Sequence, residues 1–343
     1  MSLDSEIAEQ PDVCARLLRD GAADAQALSP RIAAALHLTL VARGSSDNAA
    51  TYGKYLFESV AGLVTSSAAP SIVTKYGAPP DYMKGAAIGI SQSGSSPDVA
   101  AVVSAARRDG AFTVAITNAT RSRLARAAES TFPLRCGPER AVAATKTYTA
   151  SCLALALLAS ATATARRRKA LVFDGLVDAM REAVSREGDT ARLARRIGRS
   201  PVLVVLGRGY DYACALEGAL KIKELARVWA EPYSSADFAH GPRTLLERGV
   251  PVLLFASRGA TLREARDTVR SLYERGARVY AITNDAGLAE ACDDALLLET
   301  PVGAALSPIA LSVAAQLLAR DVARRHGRDP ERPSGISKVT RTL

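Results

Sequence analysis

Residues 90–97 read ISQSGSSP, four serines and a glycine in eight positions. The apolar run Ala86, Ala87, Ile88, Gly89, Ile90 comes directly before them and a helical pattern directly after, so the stretch predicts a strand, a turn and a helix start. In such a turn, hydroxyls, backbone N–H groups and the positive end of a helix dipole converge, an arrangement that holds a phosphate without a lysine. A Ser/Gly turn that merely caps an ordinary helix has the same spacing. The choice between the two rests on the rest of the chain.

Working outward, residues 38–42 predict a strand that runs into RGSSDNA (43–49) and then a helix through Tyr52, Tyr55, Leu56 and Ser59. A second strand is expected at 71–74. Beyond the serine turn come a helix to Arg108, a strand at 112–117 ending in Asn118, and a short strand at 131–134. GPERAVAATKTYTA (137–150) then leads into a long helix ending near Ala165. Strands alternating with helices predict a parallel sheet. Residues 1–30 predict a helical packing arm that breaks at Ser29-Pro30.

After Pro201 the order restarts, with the strand 202–206 entering GRGYD as 38–42 enters RGSSD. AITN at 115–118 recurs at 281–284, a shift of 283 − 117 = 166, and Ser91 shifted by 166 is Ser257. Two copies of one α/β unit follow, each a doubly wound parallel sheet with helices on both faces. The expected layout is an arm (1–30), a first domain (31–165), a helical linker rich in arginine (166–199), a second domain (200–328) and a tail (329–343). Where copy one has SQSGSS, copy two has ASRGAT. Only the first copy looks built to cradle a phosphate.

Composition excludes several classes. The 343 residues carry a formal charge of +9, but 36 of the 44 basic residues are arginines scattered among acids, which reads as a solvated surface and not a nucleic-acid footprint. The five cysteines are far apart with no CxxC pair, so neither a disulfide framework nor a metal site is expected. Ser2, Asp4 and Glu6 after Met1 do not make a secretory signal, and the apolar run 149–165 falls short of the ~20 residues a bilayer needs. A cytoplasmic protein with no membrane partner is expected.

In copy two, Glu217, Lys221 and Glu224 are spaced four and three apart and share one face of a helix. An exposed ion pair has the same spacing. Their neighbours Ala215, Leu216, Gly218, Ala219, Leu220 and Ile222 are apolar, which favours a charged stripe packed against a cavity, where burial tunes acid and base groups. His240 stands in AHGP, a loop setting compatible with a catalytic or a structural role. The tail RPSGISKVTRTL presents Lys338 beside apolar Ile336 and Val339.

Together these segments resemble tandem SIS sugar-isomerase domains. The chain is similar to the isomerase half of glucosamine-6-phosphate synthase, and more so to stand-alone glucosamine-6-phosphate deaminases of that fold, in RGSSD, SQSG, ATKTYTA, LGRGYDYA with LEGALKIKE, HGP and SKVT. The resemblance implies a sugar phosphate held by Ser45, Ser46, Ser91, Gln92, Ser93 and Ser96, with Val142, Ala143, Ala144 and Thr145 lining the sugar. It implies that Glu224 moves a proton between carbons 1 and 2, with Glu217 and Lys221 at supporting acid-base positions that handle oxygen and nitrogen protons. His240 would open the ring and Lys338 contact the carbonyl end. The histidine loop would come from the neighbouring subunit of a homodimer, and no metal or cofactor is implied.

Departures from the synthase are Ser95-Ser96 in place of Glu-Thr after SQSG and Ser2 where an N-terminal cysteine nucleophile would stand, and no glutaminase part is expected. The expected reaction is deamination of glucosamine 6-phosphate to fructose 6-phosphate and ammonia. Galactosamine 6-phosphate, fructosamine 6-phosphates, plain aldose-ketose isomerisation, synthesis from free ammonia and non-catalytic sugar-phosphate sensing stay open. Among the substrates, the loop GAPPDYMKG (77–85) would decide.

Overall fold

The computed structural model describes residues 2–338. Its strands form two five-stranded sheets in which every pair is parallel. The first contains β1 (Leu38–Val41), β2 (Thr65–Ser67), β3 (Ala86–Ile90), β4 (Phe112–Thr117) and β5 (Ser130–Pro133), in the order β2-β1-β3-β4-β5. The second contains β6 (Val202–Gly207), β7 (Trp229–Ser234), β8 (Pro251–Ala256), β9 (Arg278–Thr283) and β10 (Asp294–Leu297), in the order β10-β9-β8-β6-β7. Numbered within each copy, both sheets run 2-1-3-4-5. The AITN repeats fall on β4 and β9, at equivalent places in the two sheets.

The central strands β1, β3, β4 and β8 are buried along their whole length. Helices cover both faces of each sheet, which is why these strands read as continuous apolar runs and not as alternating ones. The helix Lys146–Ala165 is long and apolar enough to cross a bilayer, but it is buried along most of its length within the first-sheet unit. All five cysteines are free thiols.

The chain divides into two compact units that interleave in sequence. The first-sheet unit holds 12–139, 146–172 and 337–338; the second-sheet unit holds 2–11, 140–145 and 173–336. The arm 1–30 is therefore divided between them, and the short stretch Arg140–Thr145 belongs with the second sheet. Of the stretch 166–199, the helices Leu176–Ser185 and Glu187–Ile197 bury Leu176, Met180, Leu193 and Ile197 in the second-sheet unit.

Two local expectations are corrected. The N-terminal helix Gln10–Ala34 runs straight through Pro30. Proline cannot donate to the Gln26 carbonyl one turn back, and the Ser29 hydroxyl donates to it instead (3.2 Å). The second strand is Thr65–Ser67, while 71–74 is a short helix. The β-branched residues of Ser71–Thr74 suggested a strand, but the Pro70 carbonyl accepts from Val73 and Thr74 N–H (3.1 and 3.0 Å) and closes a helical turn.

The helix Tyr212–Ala226 packs tightly in the second-sheet unit because it carries a glycine at the contact. A Cβ on Gly218 would lie 3.1 Å from the Phe255 ring on β8 and 3.6 Å from Ala315. We expect Gly218→Val to overpack this contact and destabilise the fold by roughly 1–3 kcal/mol. In urea unfolding the midpoint should fall while the slope stays constant.

Candidate active site

In the 2-1-3-4-5 order, the connections leaving β1 and β3 run to opposite sides of the sheet, which opens a crevice at their carboxyl ends. Both serine segments are placed there. Ser45 and Ser46 begin the helix Ser45–Leu56 after β1, with Gly44 as its N-cap. Ser91, Gln92, Ser93 and Ser96 lie in the loop between β3 and the helix Pro97–Arg108. Arg43 donates to Asp98 (2.7 Å) and ties the two helix starts together; Asp98 is buried.

The serine loop is held partly by its own groups. Gly94 N–H donates to Ser91 Oγ (3.1 Å), and the Ser93 and Ser95 hydroxyls share a hydrogen bond (2.6 Å). Gly94 has φ +60°, and a Cβ there would lie 1.9 Å from Ser122 Oγ, so only glycine fits the turn. Ser96 is the N-cap of the next helix, yet its side chain makes no capping hydrogen bond, and Pro97 opens the first turn. A hydroxyl at a helix start that is not used for capping suits an anionic ligand. Nearby in this unit, Pro80, Asp81 and Tyr82 of the 77–85 loop line a cavity of about 220 Å³ with Thr39 and Ser66.

At the equivalent place of the second sheet, an internal carboxylate stands against the serine. Arg43-Gly44-Ser45-Ser46 aligns with Arg208-Gly209-Tyr210-Asp211, a shift of 208 − 43 = 165. Asp211 accepts from the Ser257 N–H (2.8 Å) and from the Ser257 hydroxyl (2.7 Å). A carboxylate thus bonds the copy-two counterpart of Ser91. Burial pushes the Asp211 carboxyl up to about 6, against the two Ser257 hydrogen bonds that pull it down.

Glu217, Lys221 and Glu224 lie along one face of the helix Tyr212–Ala226, the first two buried and the third partly so. Lys221 Nζ is 3.5 Å from Glu217 Oε1 and in direct contact with Glu224 Oε2. The Lys221 and Glu217 side chains are each 1% exposed, Glu224 23%. Glu224 is therefore the most exposed member of the three. His240 caps the short helix Ser235–Ala239 and is exposed, and no hydrogen bond joins its imidazole to these three groups.

Val142, Ala143, Ala144 and Thr145 belong to the same unit as this stripe, with Ala143 and Thr145 buried. Lys338 belongs to the first-sheet unit, where its Nζ donates to Glu139 Oε2 (2.6 Å). Glu139, fully buried, also accepts from the Thr147 N–H (3.0 Å) and the Thr147 hydroxyl (2.8 Å).

The family model for the SIS domain matches residues 31–161 and 198–324. The chain belongs to the SIS domain family. It is 35% identical over 349 residues to the isomerizing glutamine–fructose-6-phosphate aminotransferase of Gloeobacter violaceus, covering 97% of this chain and 57% of that protein. To the enzyme of the same name from Methanothermobacter thermautotrophicus it is 33% identical over 303 residues, covering 88% of this chain and 51% of that one. This SIS chain thus spans about half the length of the curated relatives it matches.

Among solved structures, one from Silicibacter pomeroyi described as a phosphosugar isomerase is 34% identical with a TM-score of 0.83, covering 96% of this chain and all of that one. Glucosamine-6-phosphate deaminase from Thermotoga maritima is 22% identical with a TM-score of 0.80, covering 100% of both chains. At that identity the second likeness shows the fold alone.

Asp211 and Glu139 were not singled out from the sequence. Aligning GRGYD with RGSSD puts an acid against Ser46, a signal that points to Asp211. Glu139 sits in the GPERAVAATK motif, but its partner Lys338 lies 199 residues away.

Asp211 yields a pH test. Its folded value of about 6 lies above the ordinary 3.8, so the native state binds more protons than the unfolded chain between these values, and stability falls as pH rises through that window. At about 1.36 kcal/mol per unit the loss is on the order of 3 kcal/mol. The melting temperature of Asp211→Asn relative to wild type should therefore rise from pH 4 to pH 7. A difference that stays flat would show that this carboxyl does not titrate there.

Proposed function

We propose that this SIS protein deaminates glucosamine 6-phosphate to fructose 6-phosphate and ammonia. The observation that carries the reading is the sealed Glu217–Lys221 pair ending in a Glu224 carboxylate open to a ligand. That suits a base that must take and return one proton beside a carbonyl. The serine crevice of the first sheet supplies hydroxyls and helix starts for the phosphate.

In this reading His240 assists ring opening, which exposes the aldehyde at carbon 1. Glu224 removes the proton from carbon 2, giving an enolamine, and returns it to carbon 1, leaving an imine at carbon 2. Water adds to the imine and ammonia leaves, giving the ketose. Lys338 handles the oxygen on carbon 1. Glu217 and Lys221 are too buried to meet the sugar and act by orienting Glu224. Val142 to Thr145 line the sugar, and Ser45, Ser46, Ser91, Gln92, Ser93 and Ser96 hold its phosphate. The exposed His240 loop is supplied by a second copy in a homodimer.

The first experiment measures ammonia and fructose 6-phosphate together from purified protein and glucosamine 6-phosphate. Equal rates are expected, with Glu224→Gln lowering turnover by a factor of 10³ or more while sugar-phosphate binding persists. Binding without either product would overturn the amino-sugar assignment and direct attention to ketose or fructosamine phosphates. Binding and function that survive Glu224→Gln would support a sensor.

The dimer has its own test. Mixed and reassembled His240→Ala and Glu224→Gln proteins, each inactive alone, should regain activity. In the mixed dimer one site receives an intact Glu224 from one copy and an intact His240 from the other. No recovery from a verified mixed dimer would place His240 in its own subunit's site.

A further inference from the structure

The N-terminal arm does more than pack. Glu6 is fully buried, and its carboxylate accepts from two consecutive backbone N–H groups, Arg140 at 2.5 Å and Ala141 at 3.2 Å. These amides lie 134 and 135 residues away in sequence. At the other end of the same stretch, Gln10, also fully buried, donates to Gln316 Oε1 (2.7 Å), and Gln316 Nε2 donates to the Thr145 carbonyl (3.4 Å). All of these residues belong to the second-sheet unit.

Arg140–Thr145 is irregular, between β5 and the helix Lys146–Ala165. Backbone donors withdrawn from water need acceptors, and here two part-buried ones find theirs on one buried side chain of a distant helix. That helix, Leu3–Ala8, is itself fixed. Leu3 N–H donates to Glu331 (2.8 Å), and Asp4 pairs with Arg320 (3.1 Å) and Arg324 (2.8 Å). Leu3 and Ile7 are buried.

We infer that Glu6 is a positioning residue that sets the backbone of Val142–Thr145 through Arg140 and Ala141, with Gln10 and Gln316 holding the far end. As a site statement this rests on the reading that Val142–Thr145 line the sugar. The clamp itself rests on the hydrogen bonds. A glutamine at position 6 keeps the shape but offers one oxygen and one NH₂ group, so one backbone donor would face another donor.

The test combines amide hydrogen exchange, followed by mass spectrometry, with kinetics on full-length Glu6→Gln. Exchange at residues 140–145 should accelerate by about tenfold or more, while exchange in the helix Lys146–Ala165 stays as in wild type. The KM for glucosamine 6-phosphate should rise about tenfold, with kcat changed less than about threefold. Should Glu6→Gln fail to fold, Gln10→Ala provides the same readouts from the other end of the stretch.

Unchanged exchange at 140–145 would overturn the clamp. Accelerated exchange with an unchanged KM would overturn its role in sugar binding. If wild-type protein turns over none of the sugar phosphates, the proposed reaction fails in the wild type before any variant is read, and the exchange result alone then decides the clamp.

Discussion

A lysine side chain that is 1% exposed dictates the architecture around the second sheet. Charge in a protein interior is tolerated only when paired, and removing one partner of a buried pair costs about 3–5 kcal/mol. Lys221 therefore needs both Glu217 and Glu224, and the helical spacing of four and three puts them on its own face. The rest of the helix must then be small and apolar enough to pack closely. Gly218 meets Phe255 there, and Cys214 Sγ lies 3.1 Å from the Pro308 carbonyl of the helix Ser307–Arg325. Packing around Glu217 and Lys221 leaves Glu224 as the most exposed of the three, and under the proposed reading it is the carboxylate that meets the sugar.

The duplicated topology produces two crevices, and one residue pair distinguishes them. In the first sheet the positions hold Ser46, at a helix start, and Ser91, in the loop directly after β3. In the second, Asp211 bonds both the amide and the hydroxyl of Ser257. An internal carboxylate in that place competes with any external anion by proximity and by charge. Under the proposed reading this is how one copy keeps the phosphate while the other is free to carry the proton chemistry.

Much of this was legible in the sequence because it depends on local pattern. The AITN repeat and the apolar strands gave the two parallel sheets, and the Ser/Gly turn was placed where the structure has it, between β3 and a helix start. The apolar neighbours of this triplet signalled the burial of Glu217 and Lys221. The misses have physical causes. Pro30 looks like a break because a side-chain donor to the Gln26 carbonyl leaves no pattern in sequence. Ser71–Thr74 looks like a strand because its β-branched content outweighs the turn-forming Pro70. Asp211, Glu139 and Glu6 act through hydrogen bonds whose meaning appears only once distant segments are brought together.

The interleaving of the two units follows the same logic. The chain leaves the first-sheet unit after Glu139, spends Arg140–Thr145 in the second, and returns at Lys146. Such an excursion is stable only if its backbone donors are satisfied where it arrives, and Glu6 supplies that at its start. Its departure point is fixed as well. Glu139 bonds both groups of Thr147 and the ammonium of Lys338. The copies of the repeat are consequently not self-sufficient. Each unit is completed by a short piece from elsewhere in the chain, and two buried carboxylates, Glu6 and Glu139, hold those pieces in place.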